Sequence, residues 1–286
     1  MAAAVSTAGA RPRRAGHLPS LAWVGTLPFL GYVGVFLFLP TGIIIWDAVR
    51  NPAGQFDLGS LKLLGNPVVR SYFTGSIELC AATAFAGAVL GAILTYAIAT
   101  GNPEGVIRRL SLAGSGVLAQ FGGVTLAFAF NAAIGPSSGF LFHAGWYYTF
   151  PWGIGLIYVY FQIPLMVLVF LPAIDGLKVQ WREATENLGG STFQYWRLVG
   201  GPLLTPAFFG SMLLLFANAL SAFATILAWE NQISYTVPQQ IYIAINSEVG
   251  LASNEGDILA LGMVVLVAII MTLYALLQRR AARWLR

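Results

Sequence analysis

The chain has 286 residues, 57% of them hydrophobic and only 9% charged, and its mean hydropathy is +0.74. That composition excludes a soluble globular enzyme and describes an integral membrane protein. One cysteine (Cys80, inside an apolar run) and two histidines (His17 and His143) exclude a disulfide framework, a thiol-pair redox site and a histidine metal cluster.

Residues 1–20 are small and basic and read as a disordered tail, with Arg11, Arg13 and Arg14 just ahead of the first apolar run. That run, 21–46, is too long for a signal-peptide core and shows no small-residue cleavage site, so it reads as an uncleaved span. Five more apolar stretches of roughly 20 residues follow, at 75–99, 112–133, 152–171, 203–228 and 258–277. The expected fold is therefore all-α, an integral membrane protein with six transmembrane helices in a single domain, 21–286.

Within the spans, Gly87 and Gly91 form a GxxxG in the second, Gly122-Gly123 sit midway along the third, and Pro164 is expected to break the fourth after Gln162. An ionisable side chain at membrane depth is costly unless solvated or paired, and only Glu78 qualifies, one turn into the second span from the outer side. It either snorkels to the interface or faces a solute path. Gln120, Asn131, Gln162 and Asn218 are uncharged candidates for a path or for hydrogen bonds between helices, and pattern leaves both roles open.

Between the fourth and fifth spans, residues 174–206 contain a polar and aromatic island. Trp181, Ala184, Thr185 and Leu188 recur at i, i+3, i+4, i+7, predicting a short amphipathic helix with Arg182, Glu183 and Glu186 on its other faces. Gly189-Gly190 suit a left-handed helix end, Ser191 with Gln194 is a capping-box signature for a second helix, and Pro202 is expected to stop that helix. Phe193 and Trp196 add aromatic surface. Local pattern allows two readings, a part gripped by a partner in water or a helix pair lying on lipid headgroups.

Basic residues divide unevenly between alternate loops. All but three of the 15 fall in the N-tail, at Arg108 and Arg109, in the island, or after the last span; the exceptions are Arg50, Lys62 and Arg70. The positive-inside rule then places both termini and the island in the cytoplasm. The net charge of +4 is thus a topology signal and not a nucleic-acid patch. The outer loop 230–257 carries Glu230, Glu248, Glu255 and Asp257 with no Lys or Arg, an acid surplus read as docking contacts or a lure for a cationic solute.

Glu183-Ala184, Gly189 six positions after the glutamate, Val199 and Pro202 resemble the EAA motif of the membrane permease subunits of binding-protein-dependent ABC importers. Thr185, Val199 and Gly201 depart from the motif, in place of alanine, isoleucine and leucine. The resemblance extends over most of the chain through its hydrophobic segments. The run from Ser221, and Asn187 ahead of Leu188-Gly189, resemble the spermidine/putrescine-type and ferric-iron-type branch.

The resemblance implies a type I permease architecture in the cell membrane of a prokaryote, multi-pass, with the island as the coupling helix of a separate ATPase. Trp181, Glu183, Ala184, Leu188, Gly189, Gly190, Phe193, Trp196 and Pro202 would make that docking site. It further implies cytoplasmic ATP-binding subunits, a second and different permease subunit and an external solute-binding protein, besides membrane lipid. No cofactor is expected in this chain, ATP and Mg being held by the partner, since no GxxxxGK[ST] occurs here; no HExxH occurs either, and an enzyme is not expected. The solute implied is a polyamine, with sugar, iron or phosphonate as alternatives. A non-transporting membrane scaffold or channel subunit is the alternative from another class.

Overall fold

The computed structural model describes residues 26–50, 55–102, 104–136, 139–141, 143, 145–229, 236–246 and 255–284. The basic tail with His17, the start of the first span, and Glu230 and Glu248 of the outer loop lie outside them. The described residues contain helices and an isolated bridge between Arg50 and Phe56, with no named strand.

The first span is α1, Leu27–Ala48. Residues up to Ile44 form a unit by themselves. It is apolar all round, with Phe29, Phe36 and Phe38 each more than two-thirds exposed, the surface expected of a segment solvated by lipid.

The second unit, from Ile45 onward, holds the bundle. Asn66 caps α2 (Pro67–Ala99) by accepting a hydrogen bond from the Val68 N–H at 3.0 Å, and Pro67 takes the first helical position, where a missing N–H costs nothing. At 33 residues α2 is longer than the hydrocarbon layer requires. It packs along α5 (Trp152–Asp175), and both contact α7 (Thr192–Ser221). The GxxxG permits this contact. A Cβ on Gly87 would come within 2.6 Å of Gln162 Cβ, and one on Gly91 would collide with Met166 Cβ and approach the Ile163 carbonyl oxygen to 2.9 Å. The last span, α10 (Glu255–Trp284), packs on α7, with a short helix α9 (Val237–Asn246) and the 3-10 segment Leu58–Gly65 laid against it.

The third apolar stretch is not one straight span. It is a pair, α3 (Val106–Gln120) and α4 (Val124–Ile134), bent by 98° at Gly122-Gly123. Gly123 has φ 70° and ψ −143°, a conformation only glycine adopts readily. Among the described residues, five helices are long and apolar enough to cross a membrane, and the bent pair brings the number to six when it is counted as one span.

Two expected proline effects do not occur. Pro164 lies inside an unbroken α5, buried and packed by α2 and α7; a proline deletes one donor, and neighbouring helices hold the axis. Pro202 does not stop the helix after Ser191 either, because the chain passes through a π-turn at Trp196–Gly200 in which the Gly201 N–H bonds the Trp196 carbonyl. The wider turn takes up the carbonyl that would meet the proline ring. The fifth span thus begins in the island itself and ends at Ser221, where Ala222 interrupts it before a short helix α8 (Phe223–Ala228).

Candidate functional site

At the island, α6 (Val179–Asn187) ends as the sequence pattern requires. Gly189 has φ 78°, its N–H bonds the Glu186 carbonyl, and the Gly190 N–H bonds the Thr185 carbonyl, both at 2.9 Å. Gly189 faces open space, whereas a Cβ on Gly190 would lie 2.7 Å from Thr185 Cγ2 and 2.9 Å from the Thr185 carbonyl oxygen. One glycine therefore supplies φ and the other close approach. Ser191 and Gln194 form the expected capping box, the Ser191 N–H donating to Gln194 Oε1 at 2.7 Å and the Gln194 N–H to Ser191 Oγ at 3.3 Å. This corner joins α6 to α7 with few free torsions.

The single apolar stripe expected on α6 is divided between two surfaces. Trp181 and Thr185 turn partly inward, while Glu183, Ala184 and Leu188 face outward, Leu188 being 89% exposed. Trp196 is half-buried, edge-on to Tyr96 of α2 and Tyr195 at 5.4 Å from each ring, so it anchors the corner to its own bundle. Phe193 is 71% exposed and Pro202 is exposed. Arg182 and Glu186 pair at 3.0 Å along the outer face. Of the four large apolar residues expected to grip a partner, Leu188 and Phe193 are presented outward, and the two tryptophans contribute mainly within the chain.

The five polar residues of the spans do not form one site. Glu78 is exposed and lines a cavity of about 800 Å³ with Thr83, Trp146, Phe150, Trp152 and Leu156. Because α2 starts at Pro67, Glu78 lies three turns from the start of its helix. Asn131 and Gln162 are buried among helices. Asn131 accepts from the Tyr148 hydroxyl at 2.7 Å, and Gln162 donates to Thr83 Oγ1 at 3.2 Å with its Oε1 unpartnered. Gln120 and Asn218 come together in a polar pocket of about 270 Å³, beside Gly122, Gly123, Ser221 and Thr225.

That pocket sits where two helices are interrupted, α3/α4 at the glycine pair and α7/α8 at Ala222. The second interruption carries no glycine or proline and was not legible. It is stabilised from a distance, by the Tyr158 hydroxyl of α5 donating to the Ala222 carbonyl at 3.0 Å. Thr225 was likewise missed, since a lone threonine in an apolar run gives no signal. In the outer segment, Glu255 and Asp257 occupy the first turn of α10, where carboxylates are favoured by the helix dipole; their presence needs no cationic solute. Cys80 is buried and unbonded, His143 is exposed, and no group of three metal-ligating side chains occurs among the described residues.

Broken helices meeting inside an apolar bundle, and a rigid helical corner outside it, define the class: a multi-span helical membrane protein. No protein-family model matches the chain. It is 23% identical over 223 residues to the sulfate transport system permease protein CysT of Escherichia coli strain K12, and 23% identical over 233 residues to the CysT of Salmonella typhimurium; each match covers 71% of this chain and 75% of the relative. The crystal structure of a bacterial ABC transporter importing the acidic polysaccharide alginate superposes with a TM-score of 0.67 at 15% identity, covering 92% of this chain and 95% of that one. The alginate transporter in complex with a pentasaccharide-bound periplasmic protein gives 0.67 at 14%, covering 91% and 94%.

The chain has the fold of an ABC importer permease subunit, and its sequence resembles the permease of a binding-protein-dependent importer. The finer likeness to the spermidine/putrescine and ferric-iron branch is not supported, and neither is a polyamine solute: the relatives found are named for sulfate and alginate, both anions.

Proposed function

We propose that this subunit forms half of a translocation path and couples ATP hydrolysis by a separate cytoplasmic ATPase to uptake of a small solute. The observation that carries the reading is the α6–α7 corner: two large apolar side chains, Leu188 and Phe193, stand exposed on a polar segment braced by a left-handed glycine and a capping box. Exposed apolar anchors on a rigid helical element are what a helix-in-groove contact needs, with Glu183 and Arg182 setting register by charge. A second permease subunit would complete the path, and an external solute-binding protein would deliver the solute at the opposite face, as in the alginate transporter with its periplasmic protein. Both termini and the corner are cytoplasmic in this reading, which the distribution of basic residues supports. ATP and Mg belong to the partner.

Motion of the corner is transmitted by α7, because the π-turn keeps the corner and the fifth span in one continuous helix. Rocking of the bundle would then follow as a rigid-body change. The test is copurification from the native host. An ATPase with a Walker motif should accompany the wild-type chain and be lost from the Leu188→Asp/Phe193→Asp double variant; retention of the ATPase by that variant would remove the docking assignment, and its absence from the wild type would favour a membrane scaffold.

A further inference from the structure

Between the corner and the end of α2 lies a pocket of about 290 Å³. Lys178 and Arg182 line it together with Tyr96, Thr100, Tyr195 and Trp196, and among the described residues no carboxylate does. Lys178 forms no ion pair with a described residue; its ammonium lies 5.9 Å over the Trp181 ring. Arg182 gives its Nε to Glu186, which leaves the two terminal NH₂ groups of the guanidinium. Tyr195 is only 4% exposed and lines the pocket, and its hydroxyl makes no hydrogen bond to a described residue yet keeps accessible surface. Two cationic donors and a phenolic donor thus converge where no negative charge in the lining answers them. The outward side chains Leu188, Phe193 and Glu183 do not line this pocket, so it is separate from the proposed docking face.

Its place in the fold says which anion suits it. α2 ends at Ala99, and Phe85 and Ile93, three turns and one turn before Tyr96 on the same side of that helix, are each more than half exposed. Apolar surface therefore runs from the pocket along the membrane span, and Tyr96 and Trp196 stand at the boundary where interfacial aromatics collect. A soluble anion would use the charges alone, whereas a phospholipid uses both surfaces, its phosphate in the pocket and an acyl chain along Phe85 and Ile93. Basic pockets between membrane helices take such headgroups. A zwitterionic headgroup would bring an ammonium to a lining with no carboxylate. We infer that this pocket binds the phosphodiester of an anionic phospholipid of the phosphatidylglycerol type, held by Lys178, Arg182 and the Tyr195 hydroxyl. The bound headgroup ties the start of α6 to the end of α2 and so restrains the corner. That consequence for coupling rests on the importer reading, and the chemistry rests on the pocket alone.

The test follows Thr100, which is exposed and lines the pocket. Thr100→Cys in a full-length Cys80→Ser chain is labelled with N-ethylmaleimide, an uncharged reagent, in nanodiscs of phosphatidylcholine carrying rising fractions of phosphatidylglycerol. Phosphatidylglycerol should slow the labelling. Ser191→Cys, exposed on the corner outside the pocket, should label at an unchanged rate. Lys178→Gln should raise the half-protecting fraction of phosphatidylglycerol about fivefold, the loss of one basic contact to an anionic lipid, and Lys178→Arg should restore it. Equal labelling of Thr100→Cys at every lipid fraction, equal slowing of Ser191→Cys, or full protection retained in Lys178→Gln overturns the site. Protection by inorganic phosphate in pure phosphatidylcholine overturns the lipid assignment in favour of a soluble anion, and protection that needs the ATPase and ignores the lipid overturns it in favour of a protein contact. Phosphatidylglycerol protection in a chain that copurifies with no ATPase leaves the lipid site standing and removes the coupling reading; ATPase copurification with no lipid protection does the reverse.

Discussion

Arg108, in the first turn of α3, reaches across to Asp175, the last residue of α5, with 2.5 Å between Nη2 and Oδ2. The pair closes the bundle on the side of the island and lies directly before α6, so it fixes where the corner leaves the membrane domain. Half-exposed at Asp175 and mostly covered at Arg108, it is worth on the order of 1 kcal/mol. Arg108→Gln and Asp175→Asn should each lower the melting temperature of the purified subunit by a few degrees and weaken coupling. The reversed pair, Arg108→Asp with Asp175→Arg, should recover part of both, and a double-mutant cycle on melting temperature and uptake checks it.

Close packing of α2 on α5 predicts a steep contrast among glycines. Gly91→Leu must displace Met166 and the backbone at Ile163 and should cost about 1–3 kcal/mol or more, seen as poor membrane yield. Gly114, in α3 with nothing within 4 Å of a built Cβ, should accept alanine with normal yield. Equal yields for the two variants would contradict the α2–α5 contact.

At the corner, Gly189→Val and Glu183→Lys should reach the membrane in normal amounts and lose uptake. The first meets a φ that costs a side chain roughly 1–2 kcal/mol, with no clash to unfold the bundle; the second changes only an exposed charge. Trp196→Ala should behave differently, lowering stability by about 3 kcal/mol through loss of its contacts with Tyr96 and Tyr195. Expression, ATPase copurification and uptake measured on the same preparations separate these patterns, and unimpaired uptake in both of the first two variants would reject coupling at this corner.

Gln162 is fully buried, donates to Thr83 and leaves its Oε1 unsatisfied, so its place is between helices. Gln162→Met removes both the bond and the unpaired acceptor, and stability should change by no more than about 1 kcal/mol. Uptake should be unaffected. A selective loss of uptake at normal stability would instead put Gln162 on the path.

Orientation is checked by labelling. In a Cys80→Ser background, cysteine at Asn246, exposed at the end of α9, should react with an impermeant thiol reagent in intact cells, and cysteine at Ser191 should react only after the membrane is opened.

Much of the island was legible because its signals are local. A capping box, a glycine that must adopt positive φ and a run of apolar residues act over a few neighbouring positions, and each is written in consecutive side chains. Membrane segments were legible for the same reason: solvation by lipid depends on composition alone. Tertiary contacts decided the rest. Whether Pro164 and Pro202 end a helix depends on neighbouring helices and on a π-turn, and whether Trp181 and Trp196 face a partner or their own bundle depends on what α2 offers them. The break at Ala222 has no sequence marker, and the carbonyl it leaves free is held by a hydroxyl from Tyr158, 64 residues away. Gln120, Asn218 and Thr225 become one pocket only when two separate helix breaks are brought face to face, an arrangement fixed by packing over the whole bundle and invisible to any window along the chain.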